Sequence, residues 1–285
     1  MDSDRIKQLK ILCCGAGMQS TALALMSCEN AKNGNQYPLV PIYDAIIFCD
    51  LCSEAPWVYR QVAFIADACK ECGISFYVLT TDLYGVFMKN FGNGHVTSIP
   101  FWSIGVDGKK AKMRRHCTID FKIIKIQQFV RYELLGYRWR EKLREADRGA
   151  HEMHIGFSFE ERQRIFDSYH PMFVNRFPLV EMGLTRADNY RYCLDVWGLD
   201  TKASACIFCP FHRNYFFWHL KRHHPKRFHD LVAFDQTLER EQPNTMIRSK
   251  LFISRSRKRI RDLTDNDCKD AETFDYHGKA IWNGF

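Results

Sequence analysis

The chain has no apolar run approaching the ~18 to 20 residues that a membrane-spanning helix needs, so no membrane span is expected. Its first residues, Met1-Asp2-Ser3-Asp4-Arg5, lack the charged-then-apolar form of a secretory signal, and a cytoplasmic protein is expected. There is no internal repeat and no low-complexity tract, which argues against a repeat array and against a long disordered region. The glycine-rich turn near the start is not followed by Gly-Lys-Ser/Thr, which excludes a Walker P-loop. It also lacks the third glycine of the dinucleotide fingerprint.

What is present is enough for a full core. The chain has 285 residues, 46% of them hydrophobic and 26% charged, ordinary values for a globular protein. The formal charge of +8 points to an anionic partner, a nucleotide or a nucleic acid. Twelve cysteines are many for a reducing compartment, where they should be thiols or metal ligands rather than disulfides. Cys28, Cys69, Cys72 and Cys193 fall in helix-like patterns and read as core.

The chain is organised around Ile11 to Thr21. Ile11-Leu12-Cys13-Cys14 is a short apolar run that reads as a buried strand. Gly15, Ala16 and Gly17 form a turn of little bulk, and Ser20 and Thr21 are placed to cap a helix carrying Ala22, Leu23, Leu25 and Met26. Strand, small-residue turn and helix start together make a phosphate cradle, because free amides and the positive helix end face one point. An ordinary strand-to-helix turn is the plain alternative.

Further strands are expected at Ala45–Cys49, Ile74–Leu79 and Met153–Phe157, with Phe177–Val180 as a short edge strand. Helices are expected from Pro56, near Asp82–Lys89, over Ile119–Leu135, from a Thr185/Asp188 capping box to Gly198, and over Pro225–Leu238. Alternating strands and helices with short links predict a doubly wound, mostly parallel α/β sheet with helices on both faces, followed by a helical, cysteine-containing C-terminal part. Asp50 ends the second strand, where a carboxylate can hold a ribose hydroxyl or simply cap a helix. Residues 90–113, with Gly92, Gly94, Pro100, Gly105 and Gly108, read as a lid or a hairpin. The charged stretch 138–151 reads as solvated. Arg248 to Arg261 holds seven basic residues and no acid, which suits phosphate contacts with nucleic acid or a charged linker.

Cys206-Ile207-Phe208-Cys209 places two thiols on one turn, half a metal site. Cys117, in Arg114-Arg115-His116-Cys117-Thr118, is the natural third ligand; it precedes a helix beside positive charge, which should lower its thiol pKa. A [4Fe-4S] cluster on these three cysteines, with His116 or nothing at the fourth iron, and a zinc ion completed by His116 or His212 are the two metal readings. Three buried thiols without metal are the third possibility. Arg114, Arg115 and Lys122 could bind phosphate or sulfate or form a solvated basic face. Glu160, Arg162 and Arg164 could line a pocket or pair on the surface.

Gly15-Ala16-Gly17-Met18-Gln19-Ser20 resembles the PP-loop, Ser-Gly-Gly-x-Asp-Ser, of the adenine nucleotide alpha-hydrolase-like superfamily, with Gly15 for its serine and Gln19 for its aspartate. That group includes ATP pyrophosphatases and phosphoadenosine phosphosulfate (PAPS) reductases. Its iron-sulfur PAPS reductase-like members carry a Cys-Cys pair and then Cys-x-x-Cys. His116-Cys117 with Cys206-x-x-Cys209 is similar to this, and Cys117-Thr118 through Lys122 resembles the family's helix start. Arg176-Phe177-Pro178-Leu179 and Gly183-Leu184-Thr185-Arg186 resemble the stretch before its second cysteine motif.

The shift in composition after Gly198 and the polar last residues divide the chain into three expected regions: a nucleotide-binding domain over 1–200, a basic Cys-x-x-Cys region over 201–261 and a tail over 262–285. The resemblance implies adenine nucleotide, ATP or a relative, at Gly15, Ala16, Gly17, Gln19, Ser20, Thr21, Asp50 and Arg162, with Mg²⁺ and an iron-sulfur cluster. Ser20, Arg115 and Lys122 would be catalytic. The reaction it implies is adenylylation with sulfur transfer on a nucleic acid or nucleobase, by a homodimer or a complex subunit. Sulfonucleotide reduction is a second reading, set back because the Glu-Cys-Gly-Leu-His segment of those enzymes is absent; Cys268 sits in Asn266-Asp267-Cys268-Lys269. A silent nucleotide-binding subunit of a DNA-modification or defence complex is a third, suited by the altered loop.

Overall fold

A computed structural model describes residues 8–91, 99–271, 273–274 and 280–281, with side chains to Cys268. Gly92 and Gly94 of the expected lid or hairpin, and most of the expected tail after Ala271, lie outside the described residues. In chain order the main elements are β1 (Lys10–Cys14), α1 (Met18–Asn33), β2 (Ala45–Asp50), α2 (Pro56–Glu71), β3 (Phe76–Thr80), α3 (Leu83–Phe91), β4 (Trp102–Ile104), β5 (Lys110–Lys112), α4 (Ile124–Phe129), β6 (His151–Ile155), β7 (Phe173–Arg176), α5 (Pro178–Glu181), α6 (Arg186–Trp197), α7 (Asn214–His223), α8 (Pro225–Glu241) and β8 (Lys250–Phe252). α4 is flanked by π-helical turns over Ile119–Ile123 and Val130–Leu134. The chain divides into two compact units, 1–49 with 57–79 and 123–204, and 50–56 with 80–122 and 205–285.

The first unit is built on a five-stranded sheet of order β3-β2-β1-β6-β7, with β1 parallel to β2 and β6, and β6 parallel to β7. The α/β fold and the mostly parallel sheet are therefore as the alternating sequence implies. β1 and β2 are continuous apolar runs because both faces are covered. On one face Ile11, Ala45, Ile47, Cys49 and Met153 pack with Ile126 and Val130 of the π/α helix. α1 lies against β1, and twelve of its sixteen residues are buried. The strand order reverses between β1 and β6, and in open parallel sheets ligands bind outside the carboxyl ends of the strands at that reversal.

One strand differs from the sequence reading. Phe177–Val180 is not an edge strand: Pro178 opens the short helix α5, where its missing N–H costs nothing, and the edge strand is the preceding Phe173–Arg176. α6 begins at the reciprocal Thr185/Asp188 box and ends at Gly198 with φ of 65°, both as expected.

In the second unit an antiparallel sheet of order β5-β4-β8 accompanies α7 and α8. The β4–β5 hairpin, closed by Gly105 N–H donating to the Lys109 carbonyl at 2.8 Å, is the hairpin reading of 90–113. Phe87, Phe91, Phe101, Phe208 and Phe234 form its aromatic core, with Phe208 and Phe234 ring centroids 4.9 Å apart. Within the expected tail, Asp265–Ala271 forms a 3-10 turn and Cys268 is buried.

Candidate functional site

The loop after β1 leads into a helix whose start carries no side-chain cap. α1 starts at Met18 with Gly17 as its N-cap; no side chain caps it and no acid lies in its first turn. Ser20 and Thr21 therefore do not cap the helix, as the sequence suggested, but lie inside it. Ser20 Oγ accepts from the Gly15 amide at 3.2 Å and donates to the Gly17 carbonyl at 3.3 Å, which braces the turn. The first amides of a helix have no intrahelical carbonyl, so an uncapped start presents them to an anion. Thr21 is fully buried, and its Oγ1 has no hydrogen-bond partner.

The residue that needs left-handed backbone here is Ala16, with φ of 52°, not Gly17, whose φ is −94°. Gly17 is required for a different reason. A Cβ there would stand 3.0 Å from Ser204 Oγ and 3.4 Å from the Ser204 amide nitrogen. The 201–204 strip is pinned to the loop by Gln61, which donates to the Ala16 and Lys202 carbonyls and accepts from the Lys202 amide at 2.7 Å. Trp57 Nε1 donates to the Ala203 carbonyl at 2.9 Å.

Sequence reasoning missed the other wall of this turn. Gly156 follows β6, and a Cβ on it would lie 2.8 Å from the Ser20 amide nitrogen. The chain after β6 thus runs against the start of α1, at the reversal of strand order. Glu161 then bonds the two segments: its Oε2 accepts from Gln19 Nε2 at 3.0 Å and from the Ser158 hydroxyl at 3.4 Å, while Arg164 pairs with its Oε1. The glycine directly beyond an apolar strand was the available signal for this approach. Arg162, expected at the nucleotide, stacks over the Phe159 ring at 4.6 Å and donates to the Phe159 carbonyl. Asp50 Oδ1 accepts from the Cys52 amide at 2.8 Å.

The second unit brings the three expected cysteines together. Cys209 is buried, and Cys117 and Cys206 are half-buried. The Cys206 thiol donates to Cys209, which holds Cys209 below the ordinary thiol range and Cys206 far above it. Cys117 is electrostatically coupled to both. Its pKa is raised, contrary to the sequence expectation: burial outweighs the lowering by Arg115 and Lys122 and the hydrogen bond from the Thr118 amide. Among the described residues, no group of three or more His, Cys, Asp or Glu side chains converges to hold a single metal ion.

The neighbours of the thiols have settled positions. Lys122 Nζ pairs at 2.9 Å with Glu54, whose carboxylate is fully buried. Glu54 forms a β-bridge with Cys206, and Arg227 donates to its carbonyl at 3.3 Å. His212 Nε2 meets the Cys206 carbonyl at 3.0 Å, so this ring braces the Cys-x-x-Cys turn. His116 is exposed, with its carbonyl accepting from the Ile119 and Asp120 amides. Arg115 stacks over Phe211 at 5.7 Å. The basic run is largely spoken for: Arg257 donates to the Ser103 and Ala111 carbonyls, Lys258 pairs with Asp267, Arg259 with Asp235 and Glu239, and Arg261 with Glu239.

The fold and these residues define a parallel-sheet α/β protein with an uncapped helix start after β1 in one unit and three neighbouring cysteines in the other. No protein-family model matches the chain, and no curated protein matches it. Among solved structures it is similar to the U34-tRNA thiolase NcsA from Methanococcus maripaludis, solved with its [4Fe-4S] cluster; identity is 14%, the match covers 83% of this chain and 74% of that one, and the TM-score is 0.38. At that level of likeness, this chain's chemistry has to be read from its own residues. No helix among the described residues is long and apolar enough to cross a membrane.

Proposed function

We propose that the chain is an adenine-nucleotide-binding enzyme that modifies a nucleic acid or nucleobase by sulfur chemistry, with an iron-sulfur cluster on Cys117, Cys206 and Cys209. The observations that carry this are the tight Cys206–Cys209 turn, closed by the Cys209 amide donating to the Cys206 carbonyl at 3.0 Å with Cys117 beside it, and the uncapped start of α1 behind Gly15–Gly17. Soft thiolates suit iron and zinc alike. A zinc ion needs its four donors about 2.0 to 2.3 Å from one point. In a cubane each cysteine takes its own iron, and three thiols with one open iron suit sulfur chemistry better than a closed zinc site. When bound, such a cluster supplies an iron open to exogenous sulfur.

The chain's own residues do the rest. The uncapped first turn of α1 and the turn Gly15–Gly17 receive phosphate, with Ser20 bracing that turn rather than touching substrate. Gln19 and Glu161 stand as a hydrogen-bonded pair in place of the loop aspartate. Lys122 and Glu54 form a paired cation and carboxylate beside the thiols.

The test is anaerobic purification followed by iron and sulfide analysis, ATP binding, and a search for AMP and pyrophosphate with and without nucleic acid. Iron with nucleic-acid-stimulated pyrophosphate release supports the reading; ATP binding without any turnover on nucleic acid or nucleobase would point to a silent nucleotide-binding subunit.

A further inference from the structure

The basic run that reads most clearly in the sequence is bound up in the second unit's own contacts, which leaves the question of where a nucleic acid would dock. The first unit offers a better-built surface. Between the π-helical turn ending at Leu134 and β6, the chain forms a loop that holds a tryptophan out to solvent. Trp139 is 74% exposed, beside Arg138, Arg140 and Lys142, all exposed.

The loop is held in this shape by its own contacts. Tyr137 is buried between two guanidinium groups, Arg144 at 4.1 Å and Arg131 at 4.8 Å from its ring centre. Its hydroxyl bonds the buried Asp147, which also meets His151 Nε2 at 3.0 Å. Glu141 accepts from the Arg138 amide at 2.8 Å and from Arg144 Nε at 3.0 Å, and Arg131 donates to its carbonyl. Gly136 and Arg140 both have positive φ, 66° and 63°. A non-glycine residue held there is strained, and strain retained by surrounding contacts is a feature of functional loops.

The charges sort the same way. Glu141 is taken by Arg144, Glu145 by Arg148 and Asp147 by Tyr137 and His151, whereas Arg138, Arg140 and Lys142 make no ion pair among the described residues. The acids are consumed inside the loop and the cations face outward around an exposed indole. Cations flanking an exposed aromatic ring are the combination that binds single-stranded nucleic acid, by phosphate contact and base stacking.

We infer that the Arg138–Lys142 loop is a docking surface for single-stranded nucleic acid, with Trp139 stacking on an unpaired base and Arg138, Arg140 and Lys142 on the flanking phosphates. The inference rests on the proposed reading of the enzyme as one acting on nucleic acid, and it names the surface that would receive it.

The experiment uses the full chain and a single-stranded oligouridylate of about 12 nucleotides, a length within the site sizes of such surfaces. Binding is followed by anisotropy across a salt series, beside ATP affinity and far-UV circular dichroism. Wild type is expected to bind with a linear fall in log affinity against log salt. Trp139→Ala should weaken binding by about tenfold or more while Trp139→Phe keeps most of it. Arg138→Glu with Arg140→Glu should flatten the salt slope. ATP affinity should be unchanged in every loop variant. The inference is overturned if wild type shows no salt-dependent binding at low salt, or if the loop variants bind as wild type does. Failure of the loop with ATP and iron still bound condemns the surface alone. A loop that binds RNA in a protein lacking both iron and ATP condemns the enzymatic reading instead.

Discussion

At the scale of single residues, two glycines and one serine decide the turn after β1. Gly156 has backbone of α1 on its Cα, so Gly156→Ala has nothing flexible to displace. It is expected to cost about 1–3 kcal/mol of stability, as overpacking does, and to weaken nucleotide binding; chemical denaturation with a binding titration reads both. Gly17 is different, because the atoms its Cβ meets belong first to the Ser204 side chain. Gly17→Ala should weaken ATP binding, and Ser204→Gly in the same chain should restore it. Absence of rescue would mean that the Cβ blocks the anion itself. Ala16→Gly should be nearly neutral, since it exchanges left-handed strain against chain entropy.

The strand-to-helix core of this site was legible in the sequence at the scale of elements. Ile11–Cys14 as strand, the small-residue turn, the Thr185 capping box and the Gly198 terminator were all readable because each rests on local chemistry. Thr185→Ala should therefore cost about 1 kcal/mol, the usual worth of such a cap, measured by urea denaturation. Sequence and structure part where local pattern and tertiary demand disagree. Phe177–Val180 is too short an apolar run to separate strand from helix, and Pro178 suits a helix start as well as a sheet edge. Arg248–Arg261 looks like an unpaired basic stretch only because its partners, Asp235, Glu239 and Asp267, lie elsewhere in the chain. The roles of Gly156 and Glu161 rest on contacts to α1 across more than a hundred residues of sequence, of which a glycine beyond an apolar strand was the one local sign. The cysteine spacing was legible, and its Glu54–Lys122 surroundings were not.

For the molecule as a whole, the buried titratable groups set its response to acid. Burial lowers the pKa of His154 from its ordinary 6.5, so the unfolded chain binds that proton more readily than the folded one. Its contribution is intact above pH 6.5 and declines as pH falls below that value. His170 is shifted the same way by burial. Denaturation midpoints measured downward from neutral pH should fall, and His154→Gln should flatten the slope; an identical slope in the variant would assign the acid sensitivity to other groups.

The account turns on one centre shared by Cys117, Cys206 and Cys209, and anaerobic metal analysis with thiol alkylation tests it most directly. The expected result is about four irons and matching sulfide per chain, the content of a [4Fe-4S] cluster, with visible absorbance, all three thiols protected from alkylation, and loss of iron in Cys206→Ser. A colourless, iron-free anaerobic protein in which all three cysteines alkylate freely in the folded state would contradict it.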